Sequence, residues 1–113
     1  MPCVFCQIAA GKAPATIVYE DDRAVAFRDI SPQAPVHVLI VPREHISGPL
    51  EVTDANAALV GHLVAVAARV AQQEGLAGDG YRLVLNQGRH GGQSVFHLHM
   101  HLLGGRHMRW PPG

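Results

Sequence analysis

Ser94-Val95-Phe96-His97-Leu98-His99-Met100-His101-Leu102-Leu103 alternates imidazole with apolar side chains. A period of two is the signature of a strand, whose successive side chains point to opposite faces. The pattern predicts a strand over 95–103 with His99 near its middle. Phe96, Leu98, Met100 and Leu102 then enter a core, and His97, His99 and His101 share the other face, each about 7 Å from the next. Imidazole titrates near neutrality, attacks electrophiles and binds metals. On these residues alone the row is a reaction centre, a metal site or a chance run of histidines.

The segment before it, Gln87-Gly88-Arg89-His90-Gly91-Gly92-Gln93-Ser94, is a glycine-rich loop. Glycine lets backbone N–H groups approach an anion without a Cβ clash, so Gly91, Gly92, Gln93 and Ser94 could cradle a phosphate beside the histidines. Further out, Thr16–Glu20 and Ala24–Asp29 read as strands around an Asp21-Asp22 turn, with Val25 and Phe27 on one face. Ser31-Pro32-Gln33-Ala34-Pro35 is a rigid loop. His37–Val41 is β-branched and apolar, a central strand ended by Pro42. Leu59, Leu63, Val66 and Val70 recur at helical spacing. They predict a long helix over about 53–74, with Thr53 as N-cap and Gly75 as terminator. Tyr81–Asn86 is a further strand, and residues 3–10 a short apolar turn or helix ended by Gly11. The class is α+β, an antiparallel sheet with a helix on one face.

The chain has 113 residues, enough for one domain, 1–113, with its own core. Nine basic residues balance nine acidic ones. That balance lacks the basic stripe of a nucleic-acid binder. The N-terminus does not read as a signal peptide and no segment reads as a membrane span, so a cytoplasmic protein is expected. In a reducing compartment Cys3-x-x-Cys6 is a metal or redox pair rather than a disulfide.

His97-Leu98-His99-Met100-His101-Leu102-Leu103 resembles the His-x-His-x-His-x-x signature of the histidine triad superfamily. Phe27–His37, Val41–Ile46 and Gly91–Phe96 are similar to family segments in the same order, and the Gly104–Gly113 ending resembles the Hint branch. The resemblance implies a compact α+β fold with a five-stranded antiparallel sheet, one long helix and a short N-terminal helix, pairing through the long helix and its neighbouring strand into a homodimer. It implies hydrolysis of purine nucleoside 5′-phosphoramidates to a nucleoside monophosphate and an amine, with no cofactor required for catalysis. His99 matches the nucleophile, which forms a nucleotidyl-histidine. His101, Ser94 and Asn86 match phosphate contacts, with Gly92 and Gln93 in the same loop. His37 matches a buried supporting histidine, and Asp29 the carboxylate that binds ribose hydroxyls. Phe5, Ile8, Phe27, Ile30 and Leu39 match positions around the base. His101 or Ser94 would serve the leaving amine.

Zinc-bearing relatives imply a structural Zn2+ held by Cys3, Cys6, His45 and His97, closed by four protein ligands and therefore not catalytic. His90 competes for a metal position. His62 is expected to be a partly buried packing residue, and His107 to lie near the surface or the dimer seam. Trp110 is expected near the neighbouring subunit's pocket. Two other activities share the triad: hydrolysis of dinucleoside polyphosphates and nucleotidyl transfer. A reading of a different class is a nucleotide- or zinc-binding regulatory module without turnover.

Overall fold

The computed structural model describes residues 3–113. A six-residue helix, α1 (Val4–Ala9), precedes the hairpin of β1 (Ile17–Glu20) and β2 (Ala24–Arg28). Then come β3 (Val36–Pro42), a single 3-10 turn at Pro49–Glu51, the long helix α2 (Ala57–Gln73), β4 (Tyr81–Leu85) and β5 (Met100–Gly104). The five strands form one sheet in the order β1-β2-β3-β5-β4, antiparallel at every junction. The fold is the expected α+β arrangement, with one long and one short helix.

Strand alternation sorts the side chains onto two faces. Ala24, Ala26, Val38, Ile40, Met100 and Leu102 turn toward α2 and bury its Leu63, Val66, Ala67, Val70 and Ala71. Val25, Phe27, Leu39 and Val41 turn the other way, against Phe5 and Ala9 of α1. On that second face the register sets Phe27 opposite Leu39, and Leu39 opposite His101. α1 is too short to persist alone. It exists because its apolar side packs on the sheet and because the Cys3 sulfur accepts the Cys6 N–H at 3.3 Å.

The helix stripe is as predicted, but α2 starts at Ala57 rather than near Thr53. Thr53 is not its N-cap. Its hydroxyl accepts the Ala55 N–H, its own N–H donates to the Asn56 side chain at 2.7 Å, and Asn56 takes the N-cap position. The C-terminus matches expectation. Gly75 adopts φ +75°, its N–H bonds Gln72 O, and the Leu76 N–H reaches back to Ala71 O. This is the Schellman closure that favours glycine.

The largest departure is in the histidine segment. The strand runs from Met100, not from Val95, so His97 and His99 precede it. Phe96 is 59% exposed and not in the core, while Leu98, Met100 and Leu102 are buried. The cause lies in β3, whose ladder with β5 stops at Ile40–Met100. Pro42 has no N–H to extend it, and its carbonyl is taken by the His97 side chain at 2.8 Å. The chain here bonds instead to the 46–47 loop, through Leu98 N–H to Ile46 O (2.6 Å) and, just upstream, the Gln93 amide to Ser47 O (2.7 Å). The His99 and His101 ring centroids are 5.1 Å apart. The other strand ends agree to within a residue.

Leu63 is fully buried between α2 and the sheet. Leu63→Ala should lower unfolding free energy by about 3 kcal/mol in urea titrations. A change below about 1 kcal/mol would contradict this packing.

Candidate functional site

The second sheet face opens into a cleft of about 580 Å³. Phe5 and Ile8 from α1, Phe27 from β2 and Leu39 from β3 give it an apolar end; Asp29, His37, Ser94, His99 and His101 line the polar part. Val4, Pro14, Ala15, Arg28, Ile30, Ser31, Gln33 and Val95 complete the wall. Ile30 is 97% exposed, at the rim. The expected base-site residues therefore meet His37, His99 and His101 in one cavity, while His97 does not line it. Asn86, Gly92 and Gln93 are not among its lining residues. The buried Gln93 amide is occupied elsewhere, donating to Ser47 O and Val95 O and accepting from Gly88 N–H. It braces the glycine loop from which Ser94 reaches the cleft. Gly91 is required there, because a Cβ would come within 2.5 Å of Gln87 O.

The hydrogen bonds assign each imidazole its tautomer. His99 Nδ1 lies 2.8 Å from the carbonyl of His97. A carbonyl only accepts, so Nδ1 carries the proton and Nε2 keeps a free lone pair. The backbone N–H of Gln33 donates to His37 Nδ1 at 3.0 Å, which puts the His37 proton on Nε2. That proton is directed at His101 Nδ1, 2.9 Å away, with Asp29 Oδ2 3.5 Å from the same nitrogen. His101 must then carry its proton on Nε2. Asp29 is itself oriented by the Ser31 N–H at 2.8 Å.

Burial lowers the His37 pKa, and the Asp29 charge offsets only part of that effect. Burial, then the neighbouring His99 and His37, pushes His101 down to about 4. At neutral pH His37 and His101 are thus uncharged hydrogen-bond donors. The Phe5 ring stands edge-on to His99 with centroids 5.2 Å apart and to Phe27 at 5.4 Å. Sequence reasoning missed Gln33 and Ser31, which set the His37 tautomer and the Asp29 orientation through backbone N–H groups; their only signal was their place in the proline-braced loop after Asp29.

Beside the cleft, Cys3, Cys6, His45 and His97 bring their Sγ and ring nitrogen atoms within 4.8 Å of one another. His97 Nε2–H donates to Pro42 O, leaving Nδ1 as a lone pair facing Cys3 Sγ at 3.2 Å and Cys6 Sγ at 3.4 Å. His45 Nδ1 is 3.4 Å from Cys6 Sγ. Tetrahedral zinc, with bonds of about 2.3 Å to sulfur and 2.0 Å to nitrogen, sets such S···N pairs about 3.5 Å apart. The donor set and its spacing fit that ion, and the His97–Pro42 bond is the outer support such a ligand needs. Burial and the adjacent Cys3 raise the Cys6 pKa, a cost that a cation in the cluster would reverse.

The remaining histidines stand apart. His90 is exposed and lies outside the cluster. His107 is exposed. His62 is partly buried on α2 and pairs with Asp21 at 2.7 Å, while the Arg23 guanidinium donates to its other nitrogen. Burial works to raise the Asp21 carboxyl, but hydrogen bonds from Arg23 N–H, His62, Tyr19 and Ala24 N–H outweigh it and hold the group well below the carboxylate range.

Comparison with known proteins agrees with this geometry. The HIT domain family matches residues 10–108. An uncharacterized HIT-like protein of Synechococcus elongatus is 54% identical over 97% of this chain and 96% of its own length. A 14 kDa zinc-binding protein of Zea mays is 50% identical over 99% of this chain and 88% of its own. The crystal structure of a HIT family hydrolase from Legionella pneumophila superposes with a TM-score of 0.97 at 53% identity, covering 99% of this chain and 100% of that one. Matched by the family over residues 10–108 and more than half identical to relatives over nearly its full length, the chain belongs to the HIT domain family.

Proposed function

We propose that this protein is a hydrolase of purine nucleoside 5′-phosphoramidates, acting through a nucleotidyl intermediate on His99. The observation that carries the reading is the His99 tautomer: Nδ1–H is spent on the His97 carbonyl, so Nε2 presents its lone pair in the cleft. The purine occupies the apolar end between Phe5, Ile8, Phe27, Ile30 and Leu39. Asp29 accepts hydrogen bonds from the ribose hydroxyls, a pairing that suits a carboxylate with two oxygens. Ser94 and His101 donate to the phosphoryl group and serve the leaving amine. The glycine loop contributes by bringing Ser94 to the phosphate side, whereas Asn86, Gly92 and Gln93 lie outside the cleft lining.

His99 Nε2 attacks the α-phosphorus, the P–N bond breaks, and the amine departs as it takes up a proton. The imidazole becomes cationic as the new bond forms, and the Nδ1–H···O bond to His97 strengthens with that charge. Water then cleaves the N–P bond, releasing the nucleoside monophosphate and restoring the ring. Imidazole suits both displacements because it attacks well and leaves well. His37 holds His101 in the donor tautomer throughout.

Cys3, Cys6, His45 and His97 would hold zinc, whose contribution is a cross-link between α1 and the segments that carry His45 and His97 rather than a step in the reaction. The name of the maize relative supports that assignment. The two cysteines are free, as metal ligands must be, which fits a reducing compartment such as the cytoplasm. Among the described residues no helix is long and apolar enough to cross a membrane. We place a homodimer seam on α2 and β4, with Trp110 reaching toward the partner's cleft. β4 is a sheet edge, and Val64, Tyr81 and Leu85 stand exposed there.

Two measurements test this reading. Single-turnover hydrolysis of an adenosine phosphoramidate should fall at least about 10³-fold in His99→Ala. The wild type should prefer that substrate to diadenosine polyphosphates; undiminished turnover in the variant, or the reverse preference, would contradict the reading. The second concerns acid. His101 stays neutral in the folded chain down to about pH 4, whereas an unfolded histidine protonates near pH 6.5. Stability is therefore lost as pH falls from about 6.5 to about 4, by about 3 kcal/mol from this group, and is flat above that window. Urea titrations at pH 7.5 and 4.5 should show a smaller loss in His101→Gln; an equal loss would contradict the role of this buried ring.

A further inference from the structure

We infer that the Cys3–Cys6–His45–His97 cluster positions the nucleophile: its assembly holds the His99 ring in the orientation that presents Nε2 to the cleft. The inference rests on the nucleophilic role proposed for His99, but its test does not require turnover.

Three observations converge. First, His97 belongs to both sites. Its Nδ1 faces the two sulfurs at 3.2 and 3.4 Å, and its backbone carbonyl accepts the His99 Nδ1–H at 2.8 Å. That carbonyl shares its peptide plane with the Leu98 N–H, which bonds Ile46 O, so the setting of the acceptor follows how the His97 and His45 segments, joined by the cluster, sit against each other. Second, residues 95–99 have no place in the sheet ladder. The Leu98 N–H is bonded to Ile46 O, next to His45, so the two segments that carry the nitrogen donors are tied to each other. Third, Phe5 lies between the two cysteines on α1 and packs edge-on against both rings, 6.0 Å from His97 and 5.2 Å from His99. α1 has six residues, and its N-cap is the cluster residue Cys3. A helix that short depends on its anchors. The cluster holds α1 down, and α1 holds Phe5 against the nucleophile.

His97 and Phe5 thereby act as positioning residues for His99. A purely structural metal site would change stability and leave the His99 ring as it was. His62, paired at 2.7 Å with Asp21 of the β1–β2 turn, is an internal reference for the fold.

The test uses the full chain labelled with 15N-histidine, without substrate. Long-range 1H–15N spectra are recorded with one equivalent of Zn2+ bound, after removal by a chelator, and after Zn2+ is restored. We expect a single Nδ1–H tautomer for His99 in the loaded protein. Stripping should move its Nε2 signal toward the average of two tautomers, reversibly, with His62 unshifted. Single-turnover rate should drop about tenfold or more on stripping. Phe5→Leu covers the case in which stripping unfolds the chain. That variant, zinc-loaded, should keep one Zn2+ per chain and show the same averaging at His99. The inference is overturned if the protein takes up clearly less than one Zn2+ per chain, or if the His99 signals are unchanged on stripping. Unchanged His99 signals in folded, loaded Phe5→Leu overturn it when stripping unfolds the protein. A metal-dependent His99 tautomer in a protein that hydrolyses no phosphoramidate would sustain this inference and sink the proposed activity instead.

Discussion

The 2.8 Å hydrogen bond from His99 Nδ1 to the carbonyl of His97 is the constraint on which the rest of the site depends. A neutral imidazole has one proton and one lone pair, and which nitrogen holds which decides whether it can attack. The acceptor is main chain, so its position is set by the course of residues 95–99. That course is fixed by the end of β3 at Pro42 and by the bonds to Ile46 and Ser47. His37 and His101 repeat the principle, with the Gln33 backbone N–H as the outermost determinant. Backbone groups thus orient the rings of this row. Asp29 stands 3.5 Å from His37, partly exposed at the cleft.

The energetic logic is a division between faces. The α2 side of the sheet is a conventional apolar core with completely buried residues. The opposite face gives up apolar burial to histidines and recovers it by hydrogen bonding. Among the described residues no buried side-chain nitrogen or oxygen lacks a partner. That satisfaction matters, since an unpaired buried polar group costs about 1–3 kcal/mol.

Much of this was legible in the sequence because its cues were local and periodic. The apolar runs read at residues 24–29 and 37–41, the helical stripe from Leu59 to Val70 and the Gly75 stop each map onto an observed element. The cysteines and triad histidines carried a motif strong enough to name the family. The failures have a common physical cause: a side-chain pattern does not report what the backbone pairs with. Residues 95–99 keep strand-like alternation although no neighbouring strand remains beside them. Pro42 was the clue, as a residue that cannot continue a ladder. Thr53 and Asn56 are both competent caps three residues apart, and only the reciprocal bonds of the turn between them decide in favour of Asn56. Gln93 looked like a phosphate contact because of its loop, but its amide is saturated by Ser47, Val95 and Gly88. The Gln33 contribution is a backbone N–H and leaves no mark on residue identity at all.

The central claim is that phosphorus bonds transiently to one nitrogen of one ring. Its most direct test is to mix enzyme with excess adenosine phosphoramidate, quench in base within the first turnover, digest, and map the adenylyl mass by tandem spectrometry. The account predicts the added mass on His99 in the peptide that spans Phe96 to Met100. An adduct on His101 or His37, or hydrolysis that proceeds with no adduct on any histidine, would contradict it.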